Sequence, residues 1–263
     1  MTGLALRQSI GPAQAPTLSF ACQPGEILIV LGANGSGKSL LVHYLAGLFA
    51  AEPGVVRVCG CDLADKAARR KARGVLGVVF ERPALARALT VAENVALPLV
   101  LSPTLARAVH AQEVAEIAGE VNLLLRLVGI EAHADSYPHE LSAGEATCAA
   151  LARALAGGKR VLVCDEPTAG LAPDRAYQIE ELIKSLVRRG DLEGALICTH
   201  DLQAALRLGD RFLLLGVGPD FGRALVYGGR ETLRRSAAFQ QFLRTPPSHL
   251  FFTDATHDAT KPR

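Results

Sequence analysis

The chain lacks a charge excess, a long apolar run and a completed set of metal-ligand spacings, and each absence removes a class of function. Its 28 lysines and arginines stand against 26 acids, a formal net charge of +2. So small an imbalance creates no field of the kind that makes nucleic acid a main partner. No stretch approaches the roughly 18 uncharged apolar residues that a spanning helix needs. Even Val95 to Leu101 is short and carries Pro98. The N-terminal MTGLALRQSIGP has no basic start followed by an apolar block, so no secretory leader is expected. Cys59-Gly60-Cys61 has no second pair to complete a zinc site, and Cys22, Cys148, Cys164 and Cys198 sit within apolar runs. All six are expected to be reduced structural thiols in a cytoplasmic setting. No internal repeat is visible. What the chain does have is 49% hydrophobic residues over 263 positions, ample for a buried core.

Glu26 to Leu31, EILIVL, is a short and nearly continuous apolar run, the mark of a strand covered on both faces in a parallel sheet. Val75 to Phe80, Val161 to Cys164 and Ala195 to Thr199 read the same way. Helical patterns over Ser39 to Phe49, Ala176 to Arg189 and Leu202 to Leu208 alternate with them, which predicts an α/β fold. From Thr90 to Ala156 the alternation stops and only helix signals remain, including Val114 to Ile130 with Gly129 placed as a C-cap. The expected organisation is a core over 1–88 and 157–243, a helical insertion over 89–156 and a tail over 244–263. Leu250-Phe251-Phe252 in that tail reads as an apolar docking patch.

Gly32-Ala33-Asn34-Gly35-Ser36-Gly37-Lys38-Ser39 fits GxxxxGK[ST] between the EILIVL strand and a helix that continues through Leu40. Glycines let backbone N–H groups turn inward around a phosphate chain, and the helix adds the positive end of its dipole. Lys38 is placed to neutralise the outer phosphates and the Ser39 hydroxyl to bind Mg²⁺. RVLVCDEP delivers Asp165 to the Mg²⁺ shell and Glu166 to a water facing the γ-phosphate, as general base or as the group that positions the water. LICTHD ends another buried strand in His200, at the sheet edge where ligands of parallel sheets gather, so His200 is expected to contact the γ-phosphate or that water. Residues 141–156, LSAGEATCAALARALA, begin as a capping box, with Ser142 at the N-cap and Glu145 three residues on.

The P-loop, LSAGE, VLVCDEPTAGL and CTHD, in this order and with helices inserted before LSAGE, resemble the nucleotide-binding subunit of ATP-binding cassette (ABC) proteins over about residues 3–243. The resemblance implies a P-loop NTPase, RecA-like core with a parallel sheet, an N-terminal antiparallel β portion and an inserted α-helical subdomain. It also implies ATP and Mg²⁺ as ligands, ATP hydrolysis, and a dimer, more readily with an identical chain than a different one. In such a dimer Ser142, Ala143, Gly144 and Glu145 begin a helix that faces the γ-phosphate held by the mate, so the capping and catalytic readings of LSAGE are both true. The partner implied is an integral membrane permease, with the chain held peripherally on the cytoplasmic face of the membrane.

Several positions depart from the family pattern. Glu81 stands where the family has the Q-loop glutamine; its carboxylate can still bind Mg²⁺ or water. Ala143 and Glu145 replace a glycine and a glutamine, and the added negative charge opposes an incoming γ-phosphate. Ala172 takes the place of the D-loop aspartate. No aromatic residue precedes Phe20, so the ring expected to stack on adenine is missing and nucleotide affinity or base selectivity is expected to be modest. ALARALTVAENVALPL (84–99) and AFQQFL (238–243) look most like the Mla/Mce-type phospholipid-trafficking ATPases, which makes lipid movement the favoured cargo. Lipoprotein-release and amino-acid-import ATPases carry similar stretches, and a nucleotide-binding regulatory subunit with little hydrolysis is the other reading.

Overall fold

The computed structural model describes residues 4–8, 18–101, 111–217 and 223–244. The Leu250-Phe251-Phe252 patch lies outside them. The strands are β1 (Leu4–Gln8), β2 (Leu18–Cys22), β3 (Glu26–Leu31), β4 (Val56–Val58), β5 (Cys61–Asp62), β6 (Leu76–Val79), β7 (Val161–Asp165), β8 (Gly194–Thr199), β9 (Arg211–Leu215) and β10 (Ala224–Gly229). The helices are α1 (Lys38–Leu45), α2 (Lys66–Val75), α3 (Val91–Val100), α4 (Ala111–Leu127), α5 (Ala143–Leu155), α6 (Pro173–Arg189), α7 (Leu202–Leu208), α8 (Arg230–Arg235) and α9 (Ala237–Arg244).

Two sheets form. The larger runs β10-β9-β3-β8-β7-β6, parallel except for β10 at its edge, and the smaller runs β2-β1-β4-β5 with antiparallel pairing. The two-residue period of a strand explains why EILIVL carries no polar alternation. Ile27, Ile29 and Leu31 face the helices α3 to α6, while Leu28 and Val30 face α1 and the antiparallel sheet, and all five are fully buried. β7 and β8 divide likewise, so Cys164 and Cys198 point to opposite faces of the sheet. All six thiols are free. Burial pushes the Cys22 thiol up to about 12 and raises Cys164 and Cys198 as well, so these sulfurs stay protonated and act as small apolar fillers.

Between β6 and β7 the described segments hold helices and short turns but no strand. α5 is seated on β6 so closely that a Cβ added to Gly77 would lie 2.0 Å from the Ala154 carbonyl oxygen. Arg175, in the first turn of α6, donates to the Gly129 carbonyl just past α4 and thereby ties the helical insertion to the core. Gly129 itself has φ +65, the left-handed conformation of a C-cap.

Several boundaries differ from the sequence expectation, and α6 starts at Pro173 rather than Ala176. The first helix ends at Leu45 rather than Phe49, because Gly47 (φ +67) closes it: Gly47 N donates to Tyr44 O and Leu48 N to His43 O. The strand expected from Val75 starts at Leu76 and ends at Val79, since Val75 completes α2. The helix expected over Val114 to Ile130 occupies Ala111–Leu127.

Candidate functional site

The loop after β3 builds its own cradle. Gly35 (φ +79) and Gly37 (φ +96) take left-handed backbone, and a Cβ on Gly32 would come within 2.4 Å of Ser36 Oγ. Lys38 Nζ donates to the carbonyls of Gly32 at 2.7 Å and Ala33 at 3.3 Å, which holds a nearly buried cation across the loop. Ser36 Oγ is buried without a hydrogen-bond partner, a donor left for a ligand oxygen. Asn34, Gly35, Ser36, Gly37, Lys38, Ser39 and Leu40 line a cleft of about 420 Å³, and Glu81, Asp165, Glu166, Ala169 and His200 complete its wall. Gly32 and Ala33 are not among the lining residues and are linked to the cleft through the bonds that Lys38 makes to their carbonyls.

Asp165 closes the floor at 3% exposure and accepts a hydrogen bond from the Ser39 hydroxyl. Burial raises its carboxyl above the ordinary value; the negative charges of Glu166 and Glu81 add to the rise, while Ser39 and Lys38 oppose it. A desolvated carboxylate beside a hydroxyl, with two further carboxylates near and Lys38 as the opposing charge, offers hard oxygen donors that fit Mg²⁺.

Glu166 stands at the mouth with φ +51, rare for a residue with a side chain. Its N–H donates to Cys198 O at 2.9 Å, and its carboxylate is fixed at both oxygens. Thr199 Oγ1 donates to Oε2 at 3.0 Å, and His200 Nδ1 lies 2.8 Å from Oε1. Thr199, 2% exposed, also accepts the Asp201 N–H at 3.0 Å, while Asp201 caps α7 by accepting from Gln203 N and Ala204 N. Thr199 was absent from the residues selected by sequence. A lone threonine has no diagnostic spacing, and its role exists only because parallel register sets Asp165 beside Cys198.

Ser142, Ala143, Gly144 and Glu145 do not line this cleft. They start α5 as a reciprocal capping box: Glu145 N donates to Ser142 Oγ at 3.3 Å, and Ser142 N donates to Glu145 Oε2 at 2.8 Å. The Ser142 hydroxyl and then its amide hold the Glu145 carboxyl below the ordinary value. Ala172 occupies the N-cap of α6 and supplies no side-chain cap. Asn94 is a second anchor that the sequence reading passed over. Fully buried, it accepts from Ala86 N and donates to the carbonyls of Ala86, Leu89 and Thr90, fastening the loop that follows Glu81.

Residues 16–169 match the family described as ABC transporter. The chain belongs to this family. Over 216 residues this ABC protein is 38% identical to the methionine import ATP-binding protein MetN of Caulobacter vibrioides, covering 81% of the present chain and 61% of that one. Over 214 residues it is 37% identical to the sulfate/thiosulfate import ATP-binding protein CysA of Bradyrhizobium diazoefficiens, covering 81% and 59%. The chain thus spans about three fifths of the length of these curated relatives. The dimeric, ADP- and Pi-bound ATP-binding cassette MJ0796 matches with a TM-score of 0.74 at 26% identity, covering 86% of this chain and 98% of that one. The fold is the ABC ATPase fold, with a mostly parallel sheet, N-terminal antiparallel strands and a helical subdomain. Among the described residues no helix is long and apolar enough to cross a membrane.

Proposed function

We propose that this chain is the ATP-binding and ATP-hydrolysing subunit of an ABC importer for a small polar solute of the methionine or sulfate class. The observation that carries hydrolysis is the Glu166 carboxylate, fixed by Thr199 and His200 at the mouth of a cleft that already holds Lys38, Ser39 and Asp165. The P-loop amides, the Ser36 hydroxyl and Lys38 would bind the phosphates; Ser39 and Asp165 would hold Mg²⁺, with Glu81 on the same cleft wall. Mg²⁺, when bound, supplies the positive charge that offsets the phosphates and orients the γ-phosphoryl group. Glu166 accepts a hydrogen bond from the attacking water and takes its proton, and His200 steadies Glu166 and meets the γ-phosphate.

Within one chain Ser142, Ala143 and Gly144 are not among the residues that line the cleft. Two copies arranged head to tail would bring the start of α5 from each onto the triphosphate held by the other. The dimeric arrangement of MJ0796 supports this reading. The chain would work peripherally beneath a membrane permease, with 89–156 as the lobe that carries the signature.

The similarity to MetN and CysA favours small-solute import over phospholipid trafficking, for which the motif carriers are ordinary helices: α3, closed by a Thr90–Glu93 capping box, and α9. Glu166→Gln is the test of hydrolysis. It should bind ATP as the parent does while phosphate release falls at least about 100-fold, and undiminished release would sink the assignment. Uptake of labelled methionine, sulfate or phospholipid by the complex recovered with its permease in proteoliposomes distinguishes the cargo.

A further inference from the structure

We propose that Glu145 is a charge brake on the signature and that His133 is the positioning residue that eases it. This rests on the reading that the start of α5 meets a nucleotide held by a second subunit. A serine hydroxyl has one proton, and Ser142 gives its own to Glu145 Oε2 at 2.7 Å, the oxygen that also accepts the Ser142 amide. What Ser142 offers to an approaching phosphate is therefore lone pairs beside a carboxylate charge, at the point where the helix would otherwise present an attractive positive end. The capping geometry does not require that charge, because a glutamine carbonyl would accept the same hydrogen bonds.

The other carboxylate oxygen is where the compensation lies. His133 Nε2 is 3.1 Å from Glu145 Oε1, delivered by the short 3-10 turn Glu131–His133 that precedes the signature. A cation, Arg175, also acts on Glu145 from the first turn of α6, in the core rather than in the helical insertion. The two side chains of the His133–Glu145 pair are 37% and 33% exposed, so the pair contributes little to folding. Its effect falls instead on whatever charge approaches Ser142. The negative charge weakens the grip on the mate's triphosphate, and the ring N–H of His133 partly cancels it.

The experiment measures the ATP concentration at which half the protein forms closed dimers, by light scattering in a Glu166→Gln background, alongside kcat and KM of the hydrolysing forms. Glu145→Gln is expected to lower that concentration and KM about two- to fivefold with little change in kcat. His133→Ala is expected to raise both by a similar factor when Glu145 is present and to do nothing in the Glu145→Gln background. Melting temperatures of the variants should match the parent, which separates a charge effect from a damaged cap. An unchanged or raised half-point for Glu145→Gln, or an equal effect of His133→Ala in both backgrounds, overturns the inference while the dimer reading survives. Failure of the Glu166→Gln protein to dimerise at any Mg-ATP concentration removes the dimer reading and this inference with it.

Discussion

Replacing Asp165 by asparagine should stabilise the nucleotide-free protein and weaken the form loaded with Mg-ATP. Asp165 is 3% exposed, and its carboxyl is raised first by burial and then by the charges of Glu166 and Glu81. A carboxyl that holds its proton more tightly folded than unfolded favours folding fully below the ordinary aspartate value of 3.8. That contribution is lost as pH rises through the raised folded value. At neutral pH the empty cleft therefore carries a buried charge only partly offset by Ser39 and Lys38. An amide of the same shape keeps an acceptor for the Ser39 hydroxyl and removes that charge. The expected gain is about 1 kcal/mol, or a melting temperature higher by about 2–4 °C in a chain of this size. With Mg-ATP the order should reverse. A ligand at about 100 times its Kd stabilises the wild type by about 2.7 kcal/mol, and Asp165→Asn forfeits most of this. Differential scanning fluorimetry in EDTA and in Mg-ATP, repeated from neutral pH down to the ordinary aspartate value of 3.8, reads all three quantities. A nucleotide-free variant that melts below the wild type, or a difference that fails to shrink on acidification, would refute the reasoning.

Lys38→Ala should weaken binding of a fluorescent ATP analogue by about 10- to 100-fold, since a charge-assisted contact is lost; titration at constant salt measures it. Gly77→Ala places a methyl 2.0 Å from a backbone oxygen of α5, so a loss of about 3 kcal/mol or more is expected in urea unfolding. Glu180 is 1% exposed and bridged by Arg207 at 2.7 and 2.9 Å. Arg207→Met therefore strands a buried carboxylate and should lose about 3–5 kcal/mol in the same assay, much of it recovered by adding Glu180→Leu.

The central strands were legible because a parallel sheet covered on both faces needs unbroken apolar runs, and EILIVL and VLVC have them. The phosphate cradle was legible because its residues are contiguous and their spacing is itself the geometry. α2 escaped notice: KAARRKARGV buries only Ala72 and holds to the fold through the Asp65 cap and the bond from Arg73 to Gly47 O, with no apolar stripe to mark it. Thr199, Asn94 and His133 share another reason. Each works through a partner brought near by strand register or by a turn, and a one-dimensional pattern holds no record of that proximity. The relatives back the amino-acid-import alternative better than the lipid one, which rested on α3 and α9, amphipathic segments whose pattern reports packing rather than substrate.

On the proposed role of Glu166, its left-handed backbone sets stability and turnover against one another at a single position. Any residue there with a Cβ bears about 1–2 kcal/mol of steric opposition, which only glycine would relieve, and glycine has no group with which to activate water. A population of chains selected for robustness alone would drift toward an inert, sturdier protein at this site. At Glu166 that strain coincides with a carboxylate fixed by Thr199 and His200 on the wall of the cleft, which the equally strained Cys59 does not line.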